Sequence, residues 1–354
     1  MTQQNSPIRL AINGFGRIGR NVLRAYLQRL DTLCERVQIV AINDVWDADT
    51  LLHLLKFDST HGRLSATGVQ ASVRSDVSGA VLTLTKDAKT IEILLLNQKN
   101  PSDLPWQDLR IDVVLECTGH FRSYRAANLH RIAGAKQVII GAAPFDEVDA
   151  SIVMGVNDDG LSRALPIISG VSCTTQALVP LLSVLHEAFG IDGVMMTEIH
   201  AVTADQSVLD QTHRDLRRAR AAGHNIIPTT SSSINATERV LPFMKGKIDG
   251  HSIRVPTINV AAIDVTCVLG VDAGIDDVKA AIYKASRGKL AGILGYTDEP
   301  LVSADFIGDA HSLVVDGLQF MKVGKQVKIF AWYDNEWGYA NRLLDMCEKL
   351  AVCG

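Results

Sequence analysis

Two groups of residues in this 354-residue chain have types and spacing suited to chemistry. The first is Gly14-Phe15-Gly16-Arg17-Ile18-Gly19, a GxGxxG turn. In such a turn the first glycine allows a tight bend, the second lets the backbone approach a pyrophosphate, and the third permits close helix–strand contact. Asp44 follows 25 residues after Gly19. A carboxylate there can bond both ribose hydroxyls and repels a 2′-phosphate, which favours NAD over NADP. The second group is Ser172-Cys173-Thr174-Thr175 with His200. Cys173 alone reads more readily as a small buried hydrophobe than as a reactive group. With His200 as base or ion-pair partner it reads as a nucleophile.

These residues need elements to position them. Ile8–Ile12 is a strand candidate leading into the glycine turn. A helix pattern follows, with Val22, Leu23, Tyr26, Leu27 and Leu30 on one face. That strand–turn–helix order gives the glycine motif its required context, since a helix N-terminus offers free N–H groups to phosphate. Val37–Ile42, Val113–Leu115 and Val138–Ile140 are further strands, and the alternation predicts a doubly wound parallel sheet. From Thr174 to Phe189 the spacing is helical, which puts Cys173 at a helix N-terminus where the dipole is expected to lower its thiol pKa. Val194–Ile199 and Ile258–Val265 read as strands of a second, mixed α/β domain, and Asp205–Asn225 as a polar, Arg-rich loop. Tyr339–Leu350 reads as a terminal helix that could pack on either domain.

Composition narrows the function classes. Lys and Arg number 35 against 39 Asp and Glu, a net charge of −4, which disfavours nonspecific nucleic-acid binding. The basic cluster Arg214, Arg217, Arg218 and Arg220 lacks interleaved aromatics and fits a loop against cofactor or a neighbouring chain. A hydrophobic fraction of 47% can build a large core. No apolar run reaches the ~18 residues of a membrane span, and the start MTQQNSPIRL lacks a signal-peptide pattern, so a cytoplasmic location is expected. Six cysteines, none in a CxxC pair, suggest neither a disulfide framework nor zinc. His53 and His61 flank Asp58 at a spacing that matches no standard metal site, so no metal is expected.

The chain resembles the phosphorylating glyceraldehyde-3-phosphate dehydrogenases nearly end to end, and is similar to the related erythrose-4-phosphate dehydrogenases. The segments that carry this are AINGFGRIGRN (11–21), HLLKFDSTHGRL (53–64), SCTT (172–175), DLRRARAA (215–222), RVPT (254–257) and WYDNEWGY (332–339). The resemblance implies Cys173 as nucleophile and His200 as general base. It implies NAD contacts at Gly14, Gly16, Arg17, Ile18, Gly19, Asp44, Thr118, Gly119, Asn335 and Tyr339. Thr203 and Arg254 would hold the substrate's phosphate, and Ser172, Thr174, Ser231 and Ser232 the attacking inorganic phosphate. The implied architecture is a Rossmann domain over 1–172, completed by a C-terminal helix at 337–354, and an α+β catalytic domain with a mixed sheet over 173–336. The implied assembly is a homotetramer, with the loop around 202–225 lining a neighbour's cofactor pocket.

Several positions depart from the family pattern. Gly141, Gly170, Gln176, Ser232 and Ile258 replace residues common there, and Ile258 leans toward the erythrose-phosphate relatives. None of these touches Cys173, His200 or Arg254. The expected reaction is therefore NAD-dependent oxidation of glyceraldehyde 3-phosphate to 1,3-bisphosphoglycerate through a cysteine thioester, in glycolysis or gluconeogenesis. Non-phosphorylating erythrose-4-phosphate oxidation is the alternative.

Overall fold

The computed structural model describes residues 6–76 and 79–352, so the first five residues and Cys353 fall outside it. The chain divides into two compact units: Met1–Ile152 with Asp158–Val171 and Ala340–Gly354, and Val153–Asn157 with Ser172–Tyr339.

The first unit contains β1 (Ile8–Asn13), β2 (Val37–Asn43), a hairpin of β3 (Phe57–Asp58) and β4 (Gly62–Arg63), then β5 (Val69–Asp76), β6 (Gly79–Lys86) and β7 (Lys89–Leu96). It continues with β8 (Val113–Glu116), β9 (Gln137–Ile140), β10 (Ala150–Ser151) and β11 (Ile167–Ser169). Nine strands form one sheet in the order β10-β11-β9-β8-β1-β2-β7-β6-β5. From β10 to β7 every pairing is parallel. The β5-β6-β7 edge is an antiparallel meander that the sequence reading passed over. Leu10, Ala11 and Ile12 are fully buried, as a central parallel strand with both faces covered requires. Because β1 lies between β2 and β8, their carboxyl ends meet at the strand-order reversal where open α/β sheets bind ligands.

Helices α1 (Arg17–Gln28), α2 (Leu30–Leu33), α3 (Ala48–Lys56) and α4 (Tyr124–Ile132) also belong to this unit. The second unit opens with α5 (Cys173–Phe189) and β12 (Ile191–His200). Next come β13 (Ile227–Thr229), α6 (Ser233–Val240), β14 (Ile248–Arg254), β15 (Ala261–Leu269) and α7 (Ile275–Arg287). It ends with β16 (Leu294–Thr297), β17 (Leu313–Asp316), β18 (Met321–Val323) and β19 (Gln326–Tyr333). Its mixed sheet runs β13-β14-β12-β15-β19-β17-β16, with β18 beside β19. The strand expected from Ile258 begins instead at Ala261. Val260 has φ +69°, which interrupts extended backbone, and Ile258 stays exposed in the preceding loop.

The last helix, α8, covers Trp337–Val352. Its residues from Ala340 onward count with the first unit. Arg29 on the first unit pairs with Asp345 and Glu348, and Arg163 donates to the Leu350 and Ala351 carbonyls. Among the described residues, no helix is long and apolar enough to cross a membrane.

Candidate active site

The nucleophile candidate is placed by a helix start. Ser172 caps α5, its Oγ accepting the Thr175 N–H at 3.0 Å, so Cys173 is the first helical residue. Ala177, Leu178, Leu181, Leu182 and Leu185 are fully buried and anchor that helix. His200 comes from the end of β12, where Val194, Met196, Glu198 and His200 share the buried face by strand parity. The two meet: His200 Nε2 lies 3.6 Å from Cys173 Sγ. His200 Nδ1–H donates to the Ala201 carbonyl at 2.7 Å, and the tautomer assigned from that bond leaves the Nε2 lone pair facing sulfur.

Parallel register brings in the cation. His200 on β12 pairs with Arg254 on β14. Arg254 Nη1 lies 3.3 Å from His200 Nδ1 and donates to Thr203 Oγ1 at 3.4 Å. The Arg254 Nε–H is buried with no hydrogen-bond partner. A guanidinium with an unused donor beside a hydroxyl suits an anionic substrate group.

The protonation states differ from the sequence expectation. Burial, then the Glu198 carboxylate, push the Cys173 thiol up to about 12, although Thr174 and Arg254 favour the thiolate. Desolvation thus works against the helix dipole at Cys173. Burial and Arg254 lower the His200 pKa, against Glu198, which raises it. Both shifts run toward the uncharged forms, thiol and neutral imidazole.

Three hydroxyls expected at an oxyanion site are engaged within the protein. Thr174 donates to Glu198 Oε1 at 2.9 Å, and Ser231 donates to Glu198 Oε2 at 2.6 Å. Ser172 Oγ lies 2.7 Å from Thr175 Oγ1 and 3.1 Å from Ser233 Oγ. Ser232 is the exposed residue preceding α6. Glu198 and Tyr333, whose hydroxyl lies 2.7 Å from Thr174 Oγ1, were not singled out from sequence. The parity of Met196, Glu198 and His200 on one strand was the available signal.

The glycine turn sits in the first unit as its motif requires. Gly14 has φ +91°, and a Cβ there would lie 2.6 Å from the Thr118 nitrogen. A Cβ on Gly19 would lie 2.1 Å from the Gly14 carbonyl oxygen. Around Gly16 the space is open, so its lack of a side chain leaves room for something outside the chain. Asp44 Oδ2 accepts the Phe15 N–H at 2.7 Å and so stands beside the turn. Thr118 is held by the buried Glu116, which accepts its N–H at 2.7 Å, while Gly119 is exposed with φ +73°. Arg17 is paired with Asp58 at 2.5 Å, while Ile18 is partly buried in the first turn of α1.

In the second unit Asn335 lies in a turn fixed by Asp334, whose Oδ1 accepts the Glu336 and Trp337 N–H groups and Asn259 Nδ2. The Asn335 Oδ1 is buried without a partner, an acceptor suited to a carboxamide N–H. Tyr339 is buried in α8.

Comparison with known proteins decides the family. Residues 8–124 match the NAD binding domain of glyceraldehyde 3-phosphate dehydrogenase, and residues 172–335 match its C-terminal domain. The chain belongs to the glyceraldehyde 3-phosphate dehydrogenase family. It is 46% identical to glyceraldehyde-3-phosphate dehydrogenase of Geobacillus stearothermophilus over 98% of this chain and 99% of that protein. Glyceraldehyde-3-phosphate dehydrogenase 2 of Streptomyces avermitilis is 47% identical over 96% of this chain and 97% of its own length. Glyceraldehyde-3-phosphate dehydrogenase 1 of Bacillus subtilis is 44% identical over 98% of this chain.

Three of the departures from the family pattern have a defined place in the structure, while nothing in the structure explains Ser232 or Ile258. Gln176 Oε1 accepts the Met154 N–H at 3.2 Å inside the second unit. Gly141 is tightly enclosed, since a Cβ would lie 3.1 Å from the Glu116 carbonyl oxygen. Gly170 donates its N–H to the Ile140 carbonyl at 3.0 Å.

Proposed function

We propose that this protein is an NAD-dependent, phosphorylating glyceraldehyde-3-phosphate dehydrogenase, with the first unit binding NAD and the second carrying catalysis. The observation that carries the reading is Cys173 Sγ facing His200 Nε2 at 3.6 Å, with Arg254 in register beside that histidine.

Thr203 and the free Arg254 Nε–H bind the aldehyde's own phosphate. Proton transfer from Cys173 to His200 Nε2 frees the thiolate, which adds to the aldehyde carbon as a hemithioacetal. The Cys173 backbone N–H, at the start of α5, and His200 stabilise the developing oxyanion. His200 returns that proton to the oxyanion, forming the hemithioacetal hydroxyl, and takes it back from the hydroxyl as the carbon is oxidised. NAD, when bound, supplies the acceptor for the two electrons whose removal leaves a thioester on Cys173. The glycine turn and Asp44 of the first unit would hold its pyrophosphate and ribose. Inorganic phosphate, bound around Ser172, Thr174, Ser231 and Ser232, releases the acyl group as 1,3-bisphosphoglycerate.

The setting we infer is the cytoplasm and glycolytic or gluconeogenic flux, in a homotetramer. Val208, Leu209, Leu216 and Ile226 are exposed by 82%, 73%, 83% and 72%, apolar surface that a neighbouring copy would cover. The test is turnover with glyceraldehyde 3-phosphate and with erythrose 4-phosphate while phosphate is titrated. Strong phosphate activation with the three-carbon aldehyde supports the reading. Phosphate-independent turnover favouring the four-carbon aldehyde would overturn it.

A further inference from the structure

Glu198 is a buried carboxylate for which the reaction outlined above has no role. It lies on β12, two residues before His200 and on the same buried face, with 4% of its surface exposed. Oε1 accepts the Thr174 hydroxyl and Oε2 the Ser231 hydroxyl. A hydroxyl has one proton to donate. Thr174 gives its proton to Glu198, so the Tyr333 hydroxyl is the donor across their 2.7 Å contact. Ser231 does the same, and its oxygen accepts the Ser233 N–H at 3.2 Å. Both hydroxyls thus offer lone pairs, not protons, to anything lying against them. Glu198 Oε1 is also 3.8 Å from His200 Nε2, the nitrogen that faces Cys173. A group attacking an acyl chain on Cys173 comes up beside His200 with this carboxylate as a neighbour.

We propose that Glu198 is the specificity-determining residue for the acyl acceptor: it admits oxyanions that carry a proton, such as hydrogen phosphate, and turns away fully deprotonated ones, such as sulfate. The inference rests on the reading of Cys173 as acyl carrier and phosphate as acceptor. Sulfate would meet a carboxylate and hydroxyl lone pairs with no proton to place between them, in a site where water screens little. Hydrogen phosphate brings a P–OH that donates to them in a charge-assisted hydrogen bond. Its attacking oxygen forms the C–O bond, the C–S bond breaks, and the electron pair returns to Cys173 as thiolate. The P–OH proton leaves with the acyl phosphate, so charge and atoms balance.

Inorganic phosphate and inorganic sulfate are the probes, on wild type and E198Q at near-neutral pH. In wild type, phosphate slows iodoacetamide alkylation of Cys173, read by mass spectrometry of its peptide, and sulfate is at least about 10-fold less effective. The inhibition constant of sulfate against phosphate in turnover exceeds the phosphate KM by a similar factor. E198Q keeps the shape, removes the charge and adds an N–H donor, so the two anions come within about twofold. Equal potency in wild type, no protection by either anion, or an unchanged ratio in E198Q would each overturn the proposal. The wild-type ratio stands as a test even if the variant misfolds. Loss of phosphate-dependent turnover alone would instead count against the function, because the alkylation comparison still reads Glu198.

Discussion

Cys173 and His200 are close enough to exchange a proton, and their surroundings shift both toward the uncharged form. This has a pH consequence with a definite sign. A thiol whose pKa is raised forms thiolate only at alkaline pH, and thiolate is the nucleophile. Alkylation of Cys173 in cofactor-free protein should therefore keep rising beyond about pH 9, without the plateau near about pH 6 of a thiolate–imidazolium pair. The pH–rate profile of the Cys173 peptide checks this. Replacing the sulfur separates chemistry from binding. Cys173→Ser should lower kcat by roughly three orders of magnitude or more while NAD titration still shows binding. Near-wild-type turnover in that variant would remove Cys173 from the mechanism. Local pattern marked each residue, SCTT before a helix and a histidine ending a strand, but their pairing came from the family resemblance, since a separation of 27 residues carries no sign that they meet. Sequence did not make the protonation states legible, since burial and the Glu198 charge come from tertiary packing. Glu198 itself was overlooked because a glutamate reads as surface until strand parity is combined with knowledge of which face is buried.

At the scale of elements, register does much of the positioning. The parallel pairing of β12 with β14 sets Arg254 beside His200, a relation between residues 54 apart that no local pattern contains. The strand–turn–helix around Gly14 was readable because each glycine has its own steric reason, visible at Gly14 and Gly19. The β5-β6-β7 meander was passed over although Val69–Val73 and Leu82–Thr85 alternate apolar and polar residues as half-buried strands do. The ion pair of Arg17 with the buried Asp58 joins the first turn of α1 to the β3–β4 hairpin. Burial alone would raise the Asp58 pKa, but hydrogen bonds from Arg17, His61 and Thr60 outweigh it and hold the pKa well below the ordinary carboxylate range. The folded state thus binds the proton less readily than the unfolded chain. The stabilisation is present above the ordinary carboxylate pKa of about 3.9 and is lost as pH falls below it. Asp58→Asn should cost about 1–3 kcal/mol at neutral pH and less near about pH 3, by denaturant unfolding at both pH values. An equal cost at both would show that the charge is not responsible.

For the whole molecule, two folded units and an exposed apolar loop have to be accounted for together. The loop over 202–225 is braced internally by Arg218 with Asp205 and Arg220 with Asp210, yet leaves Val208, Leu209 and Leu216 exposed. Covering these by a second copy predicts a tetramer in sedimentation at micromolar concentration, and Leu216→Glu should shift it toward smaller species. A monomer in the wild type would contradict this. In the proposed reaction one cysteine carries the acyl group between oxidation and release. The direct measurement is a single turnover with NAD and glyceraldehyde 3-phosphate in the absence of phosphate, followed by intact and peptide mass spectrometry. The expected result is a burst of NADH equal to the number of active sites and an acyl adduct on Cys173 that added phosphate removes as acyl phosphate. No burst, or an adduct on another residue such as Cys117, would contradict it.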